Sequence, residues 1–314
     1  MAVTRPVLVL RALGVGDLLT AVPALRALRR AAPGRRVLLA APEGLAELVA
    51  MIDAVDELWP TAGLGALRAP APVPELAVNL HGSGPQSIDD LRATGAPGLL
   101  SHRHPERPDV DGPPWRDELH EVDRWCRLVE YTGVTADRGD LGLPPVAPHA
   151  EAGAIVVHPG AAYPARRWPA SRFHRVVREL HRRGHRVVVT GGPSERGLAA
   201  AVARGTGLGA GQVLAGRTGL AELAAVVASA RLVICGDTGV GHLATAFGTP
   251  SVLLFGPTPP KRWGPPPERT RHRVMWAGDV GDPLGDRPDP GLLLLHPDRV
   301  LAVVDEVLAS PVPR

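Results

Sequence analysis

Short apolar runs alternate with helical patterns along nearly the whole chain, and this alternation constrains the fold more than any other feature. "PVLVL" (6–10), "RVLLAA" (36–41) and "ELAVNLHGSG" (75–84) read as strands, the last ending in a glycine-rich loop. Leu18, Val22, Leu25 and Leu28 recur at helical spacing after the first strand, and "GLAELVAMI" (44–52) reads as a helix after the second. Pro23 interrupts the first helical pattern, so its opening turn is expected to be irregular, or the helix proper to begin near it. Leu119, Val122, Trp125, Cys126 and Val129 mark a helix around 117–131. "GLPPVAPHAEAG" (142–153) has three prolines and no periodicity, and reads as a linker. The alternation then restarts. Strands are expected at "AIVVH" (154–158), "RVVVTG" (186–191), "RLVIC" (231–235) and "SVLLF" (251–255), with helices near 171–183, 194–204, 220–229 and 239–247. A last helix, "PDRVLAVVDEVLA" (297–309), follows a segment rich in Pro, Gly and Asp.

Strand–helix alternation on both sides of a linker predicts an α/β chain of two parallel-sheet, Rossmann-like domains. The expected divisions are a first domain at 1–145, a second at 153–296, and a terminal helix and tail at 297–314, free to pack back on the first domain. A length of 314 residues fits two domains of roughly 150 each. Open sheets of this kind bind ligands at the carboxyl ends of their strands, so a central cleft between facing domains is expected.

The bulk chemistry excludes several function classes. Formal net charge is only +3, and a single lysine, Lys261, stands among 35 basic residues. The arginines alternate with acids and form no basic run, so nucleic acid is not an expected partner. Cys126 and Cys235 lie in apolar settings without a CxxC, and His102 with His104 has no partnered cysteine, so neither a disulfide framework nor a zinc site is expected. The amino-terminal apolar run spans five residues, too few for a signal peptide or membrane span. A cytoplasmic protein without a transmembrane segment is expected, with peripheral membrane contact left open.

Four motifs fall at strand ends. "CGDTGVGHLATAFGTPSVLLFGPT" (235–258) is the strongest. Gly236 permits a turn, and a helix beginning near Gly239 would leave the amides of Thr238, Gly239 and Val240 facing outward at its positive dipole end. Glycine at 239 and 241 would let a phosphate approach the backbone. The plainer alternative makes Asp237 an N-cap and His242 a surface residue. "LGVGDLLTAVP" (13–23) sets Gly14 and Gly16 in a loop with Asp17 at its end. Asp17 is either a proton acceptor for a bound hydroxyl or a helix N-cap. "VHPGAAYPARRWP" (157–169) offers Arg166 and Arg167 to a diphosphate, or else a solvated pair. "TGGPSER" (190–196) is a glycine turn with Ser194 as the expected N-cap; Gly192, Ser194 and Glu195 could also touch a ribose or base.

Together these stretches, with "NLHGSG", "HEVDRWCRLVEYTGV" and "PPKRWGP", resemble glycosyltransferase family 9, the ADP-heptose:lipopolysaccharide heptosyltransferases, over most of residues 7–265. The resemblance implies a GT-B fold with the acceptor on the first domain and the nucleotide-sugar on the second. It implies an inverting, metal-independent transferase needing no cofactor beyond the nucleotide-sugar co-substrate, with ADP-heptose the first candidate donor. Asp17 would be the general base, with Gly14, Gly16 and His81 in the acceptor-side loop. Arg166, Asp237, Thr238, Gly239, Val240, Gly241 and His242, with Gly192, Ser194 and Glu195, would hold the donor. The acceptor would be a glycan or a small molecule. This chain lacks the cysteine-containing stretch that relatives often carry before the last helix. An epimerase or hydrolase on the same fold, or a non-catalytic nucleotide-sugar-binding module, are the alternatives that fold alone leaves open.

Overall fold

The computed structural model describes residues 4–310. Residues 1–3 and 311–314, the outermost parts of the expected first domain and of the expected tail, lie outside the described residues. The chain divides into two compact units, Met1–Leu143 and Pro144–Arg314. The break falls inside the proline-rich stretch.

The first unit contains β1 (Val7–Leu10), α1 (Val15–Thr20), α2 (Val22–Ala31), β2 (Val37–Ala41), α3 (Ala46–Val49), β3 (Glu57–Pro60), β4 (Leu76–Asn79), α4 (Pro85–Ala93), β5 (Gly98–Leu100) and α5 (Glu121–Glu130). Its sheet is parallel in the order β3-β2-β1-β4-β5. The second unit contains β6 (Ile155–His158), α6 (Ala170–Arg182), β7 (Val187–Val189), α7 (Arg196–Ala203), α8 (Leu220–Ala228), β8 (Leu232–Gly236), α9 (Gly239–Phe247), β9 (Ser251–Leu254), α10 (Pro260–Trp263), β10 (His272–Met275), α11 (Pro290–Leu293) and α12 (Pro297–Ala309). Its sheet is also parallel, in the order β10-β9-β8-β6-β7.

The central strands are buried along their whole length, as strands covered by helices on both faces must be; hence their unbroken Val and Leu runs. Pro23 does not kink a helix. Thr20 ends α1, Ala21 turns the chain, and Pro23 sits in the first turn of α2, where its missing N–H costs nothing. The stretch 83–116, which has no strong apolar pattern in the sequence, contains α4 and the edge strand β5. The second unit's core joins Phe173, Val176, Val177 and Leu180 of α6 to Val300, Leu301 and Val304 of α12. The terminal helix, set apart from the second domain at the sequence level, is therefore part of the second unit's core. Trp168 locks this arrangement: its ring meets Phe173 edge-on at 4.9 Å, and its Nε1 donates to the Leu295 carbonyl at 2.9 Å.

The first unit holds a charge at its centre. Arg11, just past β1, has no exposed surface. Its Nη2 donates to Glu121 Oε1 (3.0 Å) and Thr20 Oγ1 (3.3 Å), its Nε to the Asp17 carbonyl (2.9 Å), and its Nη1 to the Leu80 carbonyl. Its guanidinium lies 4.6 Å from the centre of the Trp125 ring, whose Nε1 donates to the same Glu121 oxygen at 2.9 Å. Burial pushes the Glu121 carboxyl up, but the charges of Arg11 and Arg124 outweigh it and hold Glu121 below the ordinary glutamate value. Beside this network His102 is buried against Trp115 and Trp125, with ring centroids at 5.1 and 5.9 Å. Its Nδ1 faces the Pro113 carbonyl at 3.3 Å, and its Nε2 has no partner. Burial, reinforced by the charge of Arg124, pushes its pKa down to about 4.

Two expectations follow. Arg11→Met leaves Glu121 with one cation fewer in a buried site, and should cost about 3–5 kcal/mol in urea unfolding; a loss below about 1 kcal/mol would show that the pair does not support the unit. The unfolded chain protonates His102 near its ordinary 6.5, the folded chain only near 4. Its contribution is therefore complete above pH 6.5 and drains away as pH falls from 6.5 to 4. Unfolding midpoints at pH 7.5 and 5 should differ less in His102→Phe than in the wild type; equal differences would sink the assignment.

Candidate functional site

Both sheets contain a topological switch point, where successive connections run to opposite sides and leave a crevice at the strands' carboxyl ends. In the first unit it lies between β1 and β4; in the second, between β6 and β8. The four loops leaving these strands carry Asp17, His81, Arg166 and the Asp237–His242 segment.

In the first unit Gly14, not Asp17, is the N-cap of α1, and Gly16 lies in the helix's first turn. Asp17 is the third helical residue. Its Oδ2 accepts the Gly14 N–H at 3.1 Å, its Oδ1 lies 3.6 Å from Arg11 Nη2, and its side chain keeps 29% of its surface exposed. The carboxylate is thus oriented from two sides and still reachable by solvent. His81 follows β4, and its Nδ1 accepts the Ala12 N–H at 3.2 Å, which places the proton of the neutral ring on Nε2. Burial, then the charge of Arg11, lowers its pKa and favours that neutral form. Asp17, Gly14 and His81 are thereby gathered around the Arg11 loop, and no motif in the sequence marks Arg11 itself.

In the second unit Thr238 is the N-cap of α9, with extended backbone (φ −155°) and no capping bond from its side chain. Asp237, expected as the alternative cap, is instead buried one residue earlier, with its Oδ2 3.9 Å from Arg166 Nη1. Helix geometry leaves the Gly239 and Val240 amides without helical partners, while the Gly241 amide bonds the Thr238 carbonyl at 3.0 Å. Gly241 has a packing task as well. A Cβ there would come within 3.1 Å of Leu253 and 3.5 Å of the Cys235 sulfur, so this glycine lets α9 pack closely on the sheet. His242 is half-buried, its ring 6.0 Å from that of Trp263. Arg166 lies in a short 3-10 turn after β6; its Nε donates to the Pro283 carbonyl at 3.2 Å, leaving its Nη groups toward Asp237.

Glu195 also belongs at this end of the sheet. Its Oε2 accepts the Gly192 N–H at 2.7 Å and lies 3.8 Å from His158 Nε2. A Cβ at position 160 would overlap this carboxylate, so a larger residue than Gly160 would force the Glu195 side chain to move. Ser194 lies within the 3-10 turn and does not cap α7; Glu195 holds that position. His158 Nδ1 sits 3.0 Å from Thr190 Oγ1, and burial keeps the ring below its ordinary pKa against the pull of Glu195. His158, Thr190 and Trp263 went unnoticed as site residues; only the position of His158 at a strand end signalled it.

Burial pushes Cys126 up to about 12 and Cys235 higher still, so both thiols remain protonated. Among the described residues no three His, Cys, Asp or Glu side chains gather as a metal would need, and no helix is long and apolar enough to cross a membrane.

The family model for glycosyltransferase family 9 (heptosyltransferase) matches residues 119–279, just over half of the chain. A lipopolysaccharide heptosyltransferase 3 from Escherichia coli is 34% identical over 162 residues, covering 50% of this chain and 47% of that protein. The chain thus spans about half the length of the curated relatives it matches first. Two solved structures share the whole fold at 22% identity. A glycosyl transferase family 9 protein from Veillonella parvula superimposes with a TM-score of 0.81 over 98% of both chains. E. coli ADP-heptose lps heptosyltransferase II superimposes with a TM-score of 0.79 over 96% of this chain and 98% of that one. The fold is GT-B, and the chain belongs to glycosyltransferase family 9.

Proposed function

We propose that this protein is an inverting glycosyltransferase that moves heptose from ADP-heptose to a hydroxyl of a glycan, with lipopolysaccharide-type acceptors first in line. One observation carries the reading: each sheet's switch point holds the half of the chemistry that such a transfer needs. The first unit offers a solvent-reachable carboxylate fixed by Gly14 and Arg11. The second offers an anion cradle, made of the α9 amino terminus with Arg166 beside it. The enzymes named for heptose transfer to lipopolysaccharide are this chain's relatives, which supports the choice of sugar.

In this reading Asp17 takes the proton from the acceptor hydroxyl as that oxygen attacks the anomeric carbon. The bond from that carbon to the β-phosphate oxygen breaks, and ADP leaves with the electron pair from the opposite face, inverting the configuration. The Thr238, Gly239 and Val240 amides, the α9 dipole and Arg166 stabilise the charge as it develops, so no metal is called for. His242 stands at the same helix turn to donate to the departing phosphate or the sugar. Glu195 has one carboxylate oxygen held by Gly192, which leaves the other for the ribose hydroxyls, with Ser194 alongside. Asp237 anchors Arg166 from behind. The work would be done in the cytoplasm, with the protein reaching a membrane-borne acceptor from the surface.

ADP without Mg²⁺ should raise the melting midpoint, since a ligand at a hundred times its Kd adds about 2.7 kcal/mol. Thr238→Pro, which cannot keep φ at −155°, should remove that shift. Asp17→Ala should keep the shift and lower the transfer rate by about 10²–10⁴. Absence of any ADP shift in the wild type, or Asp17→Ala transfer within tenfold of wild type, would overturn the donor and base assignments respectively.

A further inference from the structure

The second unit has a larger cavity at the opposite end of its sheet from the donor loops. It opens where β9 and β10 begin, beside the last turns of α9 and α12, and encloses about 490 Å³, within the range of small-molecule sites. Arg269, Arg271 and Arg273 line it, the first two from the turn that leads into β10 and the third from the strand's second residue. Between them His272 turns inward, its Nδ1 2.9 Å from Ser251 Oγ. Phe247 and Val307 supply apolar wall, and Glu268 is the one acid among the lining residues.

Arg269 Nη1 donates to the Thr245 carbonyl at 3.0 Å, while Arg271 and Arg273 are only partly engaged. Arg271 Nη1 donates to the Gly248 carbonyl and Arg273 Nη1 to the Thr270 carbonyl, both at 2.8 Å. Among the described residues neither has a carboxylate within ion-pair distance. Each guanidinium carries five N–H donors, so most of theirs point elsewhere. His272 adds no charge, because burial, then the charges of Arg269 and Arg271, pushes its pKa down to about 4. Like charges converging on a part-apolar cavity repel one another, and a bound oxyanion relieves that repulsion while taking forked hydrogen bonds.

We propose that this cavity is a second ligand site, which takes a phosphate or similar oxyanion carried on an apolar group. A soluble phosphorylated molecule and a phospholipid headgroup share this chemistry. The site is separate from the donor cradle and does not depend on the transferase reading.

The test uses the full chain and two probes: phenyl phosphate, and phosphatidylcholine vesicles containing phosphatidylglycerol. Phenylglyoxal modification of wild-type protein, mapped by mass spectrometry, reports on each arginine and needs no variant. Arg271 and Arg273 should be protected several-fold by at least one probe. Protection by phenyl phosphate identifies a soluble ligand class; protection by vesicles alone identifies a headgroup. In R271Q/R273Q, affinity for the protecting probe should fall by about tenfold or more, as loss of two charge-assisted contacts requires, while ADP affinity stays unchanged. Protection of neither arginine by either probe overturns the proposal, and so does equal probe affinity in a folded R271Q/R273Q.

Discussion

A guanidinium with no exposed surface organises the first unit. Arg11 emerges from the central strand and ties together segments that the chain separates widely: the α1 loop through the Asp17 carbonyl, the end of β4 through Leu80, and the start of α5 through Glu121. A buried cation survives only if its donors are met and its charge is balanced. Those demands fix where α1, β4 and α5 stand relative to one another, and the Asp17 carboxylate inherits its position from them. The reactive-looking residue is thus held by a structural one, and the exposure of Asp17 is affordable because its neighbour is not exposed at all.

The second unit solves its own problem with a helix rather than a charge. Helix α9 starts at the carboxyl end of β8 and lies close on the sheet because Gly241 has no side chain to hold it off. Its far end closes on Gly248, in the left-handed region (φ 66°), with Arg271 on the terminal carbonyl. Cations at a helix carboxyl terminus complement its dipole, as anions do at the amino terminus. One nine-residue element therefore presents opposite electrostatic ends to two different edges of the same sheet.

The centres of both sheets were legible in the sequence, and so was the buried edge strand β7; the other three edges were not. Strands such as "VLVL" and "LVICG" are buried on both faces, so their composition alone declares them. The edge strands "ELWP", "GLL" and "HRVM" are partly exposed and mixed in composition, and they carry no run or alternation to find. Helix α4 buries only Ser87, Ile88 and Leu91, too thin a stripe to separate it from a loop. The motif loops at strand ends were legible because glycines and acids there interrupt apolar runs. Individual roles inside them were less so: Ser194 and Asp237 have good capping chemistry, yet neighbours took the cap in each case. Arg11 was illegible for a clear reason. Its partner Glu121 lies 110 residues away, and no local pattern encodes such a contact.

One core cluster of the first unit draws on residues 8–91 and the second unit's cluster on residues 155–304, each within its own stretch of chain. The terminal helix follows this rule, since α12 fills the core of the unit it is joined to. Such a layout matters over evolutionary time. A gene encoding it can diversify one core cluster without altering the residues that build the other. Under the proposed function, recognition of new acceptors and retention of donor chemistry would then be separable histories within a single polypeptide.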